Sequence, residues 1–305
     1  MTPGTPPRAR HLPPGLAWRQ ADVFSRLPLG GNGLAVFADA RGLDAALMQA
    51  LTRELRQFES IFLTPGERPG AWRARMFTVD EELDFAGHPV LGAACVLHEA
   101  RDMARGAAPA EAATWTLALN AREVTVATRR AGSWYEAEMD QGAPLFGPPL
   151  DGDTARALLR AQGLDESDLA PGLPARMVST GLPYLLVPLR RGLERARPAS
   201  ADFAALLAAV GAHFCYPLDI AAREGRSFDN HGLLEDPATG SAAGPAGAYL
   251  VRHGLARPGQ ELTIRQGRFV HRPSEIRVCV QGPARAPERV LVAGDVVMAA
   301  RGAFD

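Results

Sequence analysis

The chain reads as an α+β protein built from two similar halves. Strand candidates far outnumber helix candidates, which argues against a doubly wound parallel sheet. A Pro- and Gly-rich stretch, "DQGAPLFGPPLDGD" at 140–153, interrupts the pattern near mid-chain. In addition, "AGHPVLGAACVL" (Ala86 to Leu97) aligns with "TGSAAGPAGAYL" (Thr239 to Leu250) at one offset of about half the chain. Gly87 then meets Gly240, His88 meets Ser241 and Leu97 meets Leu250. Small-residue helices also align by chance, so the echo stands as an expectation: two domains facing each other across a cleft.

A strand is predicted around Trp18 to Phe24, then the turn "SRLPLGGNG" and the strand "LAVF". In "LDAALMQALTRELRQF", Leu47, Leu51, Leu55 and Phe58 recur at spacings of 4, 4 and 3, the mark of a helix with one buried stripe. "SIFLT" and "AWRARMFT" read as strands, "DEELDFAGHPVLGAACVLHEA" as a turn entering a helix, and "TWTLAL", "EVTVAT" and "WYEAEM" as strands. After 140–153, read as a linker, helices are predicted near "TARALLRAQ" and "ADFAALLAAV", with strands "ARMVST", "YLLVPL" and "CYPLDIAA". A helix after "EDPATGS" and the strands "ELTIRQ", "EIRVCV" and "RVLVAGDVVMAAR" complete the pattern. The expected domains are 16–140 and 141–288, with a last strand over about 289–305 as a candidate to join the first.

With 305 residues, 47% hydrophobic and 22% charged, the chain can bury a large core. Its 33 basic residues balance 34 acidic ones, so nothing attracts it globally to nucleic acid or an anionic membrane, and a small molecule is the expected partner. All 33 are Arg, which removes the lysine of a Schiff base or a P-loop. Cys95, Cys215 and Cys279 form no CxxC and are odd in number, against a zinc knuckle or a disulfide framework and in favour of a reducing, cytoplasmic setting. Cys95, within "GAACVL", reads as buried ballast. Residues 1 to about 15 read as a loose tail, and no run approaches the roughly 20 apolar residues of a membrane span. The histidines show no HxH or HExxH spacing, so no metal is expected.

Two stretches can open anion-binding helix starts. In "GHP", Pro89 suits a first helical turn and places Gly87 and His88 at the entrance, where free N–H groups receive a carboxylate or phosphate. The alternative is that His88 caps its helix or packs in the core. In "EDPATGS", Asp236 before Pro237 is pushed away from helical geometry, and Gly240 and Ser241 open a helix. Here the alternative is that Asp236 and Thr239 cap their own turn and Ser241 caps the helix. Glu59 precedes the apolar "SIFLT", where burial would raise its pKa towards neutrality as a proton shuttle requires; most glutamates at helix ends are simply solvated.

Together "DVF…LGGNGLAVF", "FESIF", "AGHPVLGAACVL", "STGLPYLLVPL", "EDPATGSAAGPAGAYL" and "IRQG…RPSEIRV" resemble, in order and over roughly residues 18 to 301, the PhzF-like phenazine biosynthesis family, which includes trans-2,3-dihydro-3-hydroxyanthranilate isomerase. The resemblance implies the diaminopimelate epimerase-like fold, two similar domains each a curved sheet around a central helix, with the active site between them. It implies a cofactor-free isomerase, a homodimer, and a small carboxylate-bearing substrate. Carried over by position, Glu59 matches the acid/base, and His88, Asp236 and Ser241 the other catalytic positions. Asn32, Ser60, Gly87, Thr239, Gly240 and Gln266 match substrate-binding positions. Related racemases and epimerases carry paired cysteines at the two helix starts; here these are His88 and Ser241, which leaves one carboxylate to move a proton between two carbons. An epimerase of the same fold and a catalytically silent carboxylate-binding protein are the alternatives. Phe58, where many members have Ser, and Asn230, in a stretch that lacks the usual Pro, are departures that bear on the substrate.

Overall fold

In the computed structural model, which describes residues 12–85, 87–105 and 111–305, the first half runs β1 (Leu16–Val23), β2 (Asn32–Phe37), α1 (Ala45–Leu55), β3 (Glu59–Pro65), β4 (Ala71–Phe77), β5 (Glu82–Leu83), α2 (Gly87–Arg105), β6 (Ala112–Ala118), β7 (Glu123–Ala131) and β8 (Trp134–Asp140). The second runs β9 (Leu145–Pro149), α3 (Gly152–Arg160), β10 (Arg176–Ser179), β11 (Pro183–Leu189), α4 (Phe203–Ala209), β12 (Phe214–Asp219), β13 (Glu224–Gly225), β14 (Ser227–Phe228), β15 (Glu235–Asp236), α5 (Gly240–Arg252), β16 (Glu261–Gln266), β17 (Ser274–Gln281) and β18 (Arg289–Phe304).

Strands β1, β2, β3, β4, β6, β7, β8 and β18 pair in that order, and β18 returns to β1 to close an eight-stranded barrel. Closure rests on the length of β18. Residues 296–304 pair with β1, 291–297 with β8, and 289–293 with β17, from which the sheet continues through β16, β13, β12, β11, β10 and β9. One strand therefore belongs to the barrel and to the second curved sheet.

Each curved sheet holds a helix. α2 packs against strands all round the barrel, and α5 against β10, β11, β16, β17 and β18. A helix enclosed on all sides must be apolar or small all round, and every residue of α5 from Gly240 to Val251 is buried. Small residues let the backbone approach the sheet closely: a Cβ on Gly247 would stand 2.5 Å from Cγ1 of the fully buried Val278. The outer walls are solvated, as the strict alternation of buried and exposed residues along Glu123 to Arg129 shows.

The predicted elements stand, with local corrections. α1 is capped by Asp44, whose side chain accepts from Leu47 N, and ends at Leu55 because Arg56 turns left-handed at φ 50°. Phe58 therefore lies beyond the helix, and the buried positions of α1 are Met48, Leu51 and Thr52. The 140–153 stretch is not a free linker: β9 runs inside it as the edge strand of the sheet, the one place where Pro148 and Pro149 lack no ladder partner they need. Residues 1–11 of the expected tail and Ala86 lie outside the described residues. From residue 12 the chain is already held, with Leu12 against the α1 cluster and Gly15 N donating to Phe304 O. Cys95 is buried, and burial pushes its thiol well above the usual range. Among the described residues no helix is long and apolar enough to cross a membrane.

Gly247→Ala tests the close helix–sheet contact. Overpacking against Val278 is expected to cost about 1–3 kcal/mol, outweighing the roughly 1 kcal/mol that alanine adds in helix propensity. The measurement is the urea midpoint at unchanged slope; an unchanged midpoint would mean that the sheet yields.

Candidate active site

The first turns of α2 and α5 meet. A Cβ on Gly87 would lie 3.0 Å from Ser241 N and 3.3 Å from Gly240 C, so only glycine lets the two helix starts approach this closely. Both helices begin at the glycines that the internal echo aligned, Gly87 and Gly240. Each presents first-turn N–H groups that have no partner within their own helix.

Four side chains gather at this junction. Glu59 opens β3, Asn32 opens β2, His88 is the second residue of α2, and Asp236 ends β15. Asn32 joins the two halves: its Nδ2 donates to Asp236 Oδ1 (2.6 Å) and Ala238 O (2.9 Å) and approaches His88 Nδ1 at 3.3 Å. With both Nδ2 protons directed at Asp236 Oδ1 and Ala238 O, the His88 contact is the weakest of the three and does not set which ring nitrogen carries the proton. Glu59 Oε2 lies 3.5 Å from His88 Nδ1. This is not an ion pair, because burial lowers the His88 pKa to about 3 and the ring is neutral. Glu59 Oε2, His88 Nε2 and Asn32 Oδ1 are buried and have no hydrogen-bond partner among the described residues. Polar capacity left unused at one buried place marks a site rather than a core.

The two carboxylates sit in different surroundings. Asp236 accepts from Thr239 Oγ1 (2.6 Å), Ala238 N (3.2 Å) and Asn32, yet burial outweighs these donors and pushes its pKa up to about 6. Glu59 lacks such donors at Oε2; burial first, and then the Asp236 charge, raise it well above the carboxylate range.

The remaining predicted residues divide. Ser241 lies inside the first turn of α5 and does not cap it; its Oγ pairs with Tyr184 OH at 2.8 Å. Thr239 occupies the N-cap position, but its hydroxyl is spent on Asp236. Gln266 is saturated, donating to Asp236 O and Thr239 Oγ1 and accepting from Thr239 N and Tyr216 OH. Ser60 is buried on β3 but alternates with Glu59 and Ile61, which places it on the side of Phe62 and the α1 cluster, away from His88. Asn230 donates to His213 O in the β14–β15 turn and touches none of these groups. The sequence reading passed over Tyr184, Tyr216 and Gln141, whose Nε2 donates to Gly240 O at the start of α5. Tyr184 belongs to "STGLPYLLVPL", yet its partner is 57 positions away and only the fold brings the two together.

Comparison with known proteins follows the same lines. The family described as "Phenazine biosynthesis-like protein" (PhzC-PhzF) matches residues 21–302. The trans-2,3-dihydro-3-hydroxyanthranilate isomerase of Pseudomonas fluorescens is 34% identical over 293 residues, 92% of this chain and 96% of that enzyme. A solved structure of a predicted epimerase from Pseudomonas aeruginosa is 51% identical with a TM-score of 0.87, covering 94% of this chain and 98% of that one. A probable proline racemase from Agrobacterium radiobacter, 15% identical with a TM-score of 0.60 over 95% of this chain and 92% of its own, shares the fold alone, which is the diaminopimelate epimerase-like one. With a barrel of this kind, paired helix starts and relatives over nearly its whole length, the chain belongs to the PhzC-PhzF family of phenazine biosynthesis-like proteins and is an isomerase.

Proposed function

We propose that this isomerase moves a proton, and with it a double bond, within a small carboxylate-bearing metabolite, Glu59 taking the proton from one carbon and returning it to another. The observation that carries the reading is the buried Glu59, unpartnered at Oε2 and held beside the neutral His88. A carboxyl whose pKa is displaced towards neutrality can both accept and donate at physiological pH. The first-turn N–H groups of α2 and α5 suit the substrate carboxylate, and charge developing next to it gains from the same helix ends. The unpartnered His88 Nε2 offers a further polar contact to the substrate. The compound named in the P. fluorescens relative, trans-2,3-dihydro-3-hydroxyanthranilate, is the first substrate to test.

Epimerization is the second reading, favoured by the description of the P. aeruginosa structure. Against it, the helix starts carry His88 and Ser241, while Cys95 and Cys215 are buried elsewhere and Cys279 lies on β17. With substrate deuterated at the donor carbon, one-base isomerization carries that deuterium to the second carbon, diluted only by exchange of the Glu59 carboxyl with solvent; epimerization exchanges and inverts a single centre.

Glu59→Gln is expected to reduce turnover of the dihydrohydroxyanthranilate by roughly 10²–10⁴ while ligand affinity stays within about tenfold; full activity in the variant sinks the mechanism. The wild-type kcat/KM profile should fall on its acid side with a midpoint above the ordinary glutamate value of about 4.3, because Glu59 must ionise to accept a proton and its pKa is raised. That midpoint belongs to the Glu59–Asp236 pair rather than to either group alone.

Stability gives a check without substrate. Glu59 binds its proton more tightly folded than unfolded, so its contribution is full below the unfolded pKa of about 4.3 and is lost as pH rises through the folded value. Glu59→Gln should therefore melt higher than wild type at pH 8, with the difference shrinking towards pH 4. A pH-independent difference would show that the carboxyl is not perturbed.

A further inference from the structure

Two tyrosines lie under the Asp236–Ser241 segment. β11 and β12 are parallel with Leu186 opposite Tyr216, and the rings of Tyr184 and Tyr216 meet edge to face at 6.5 Å. Both are essentially fully buried. Tyr184 reaches Ser241, and Tyr216 reaches Gln266.

The bonds around Gln266 have only one possible direction. Its Oε1 receives Thr239 N at 3.1 Å and Tyr216 OH at 3.0 Å. A backbone N–H can only donate, so the amide oxygen must face it, and the side chain cannot be turned over. Nε2 then donates to Asp236 O at 2.7 Å and to Thr239 Oγ1 at 2.9 Å. Because Thr239 Oγ1 accepts there, its one proton goes to Asp236 Oδ2, 2.6 Å away. Donors therefore run one way, from Tyr216 through Gln266 and Thr239 to the carboxylate.

We propose that Tyr216, Gln266 and Thr239 are positioning residues that hold Asp236 in its ionised form through this chain, and that none of the three touches the substrate. The proposal rests on the reading of Asp236 as a site residue. It assigns to Gln266 and Thr239 a different duty from substrate contact, since Gln266 has no donor or acceptor left over and the Thr239 hydroxyl is used in both senses. The consequence reaches Glu59: an ionised Asp236 is the charge that, after burial, raises the Glu59 pKa. The other titratable groups facing Asp236 are the neutral His88 on α2, Tyr184 on β11, and Glu235 on its own strand; Glu235 is held in a bidentate pair with the buried Arg226.

The test is a carbon-13 NMR titration of the aspartate carboxyls in the full chain without ligand, the Asp236 signal being identified by its loss in Asp236→Asn. Thr239→Val, nearly isosteric but without the hydroxyl, is expected to move the Asp236 midpoint up by about one pH unit, the size of one lost bond to a charged acceptor. Thr239→Ser, which keeps the hydroxyl, should titrate with the wild type, and Tyr216→Phe should move the midpoint in the same direction as Thr239→Val. A folded Thr239→Val with the wild-type midpoint overturns the proposal. If that variant does not fold, an unmoved midpoint in Tyr216→Phe does so. The titration uses no substrate, so it reads out the chain of bonds even if the dihydrohydroxyanthranilate is not turned over.

Discussion

The contact between two helix beginnings at Gly87 and Gly240–Ser241 is the constraint on which the rest of the structure depends. Helix N-termini carry partial positive charge, and bringing two together in a buried place is unfavourable unless negative charge lies between them. Asp236 supplies part of that charge, and Glu59 stands ready to supply more. The barrel around α2 and the curved sheet around α5 hold the two ends together against this cost, and the shared strand β18 keeps the two sheets in register. Stability made elsewhere is thus set against an electrostatic cost at the site, a common trade in enzymes.

Within that junction the two carboxylates are differentiated by their donors. Asp236 accepts three hydrogen bonds, whereas Glu59 has an oxygen with none. Two acids in one buried cleft cannot both ionise freely, and the better solvated one takes the charge. Asp236 is thereby the carboxylate better supplied with donors, and Glu59 the one that burial and its neighbour perturb more strongly. His88 fits the same division, because a neutral ring forms no ion pair that would hold Glu59 in its charged form.

Much of this was legible in the chain. Periodicity and caps locate α1, and the echo of "AGHP" and "TGS" marks the two helix starts that meet. β9 was hidden because its prolines read as a linker, although an edge strand tolerates them. Ser60 matched a site position by its place beside Glu59, but strand alternation turns it to the opposite face, a consequence visible only once β3 is known to separate two cores. Tyr184, Tyr216 and Gln141 escaped because no local pattern records a hydroxyl or amide that meets a partner 50 to 99 positions away. Gln266 was recognised by position but not by duty, since saturation of its hydrogen bonds depends on residues from two segments distant in sequence, Tyr216 and Asp236–Thr239.

The likeness between the halves stops at the backbone, and this bears on the chemistry. A two-base racemase needs equivalent groups on opposite faces of one carbon. Here the helix starts match glycine for glycine, but the polar residues do not: His88 is neutral and leans on Asn32 and Glu59, while Ser241 is bound to Tyr184, whose own pKa burial raises further. Neither Ser241 nor Tyr184 can act as a base at neutral pH in such surroundings. The proton-accepting capacity is therefore lopsided, concentrated in Glu59 on the first half, with Asp236 occupied by its donors on the second. That asymmetry supports the one-base reading proposed above, in which the proton returns on the face from which it came.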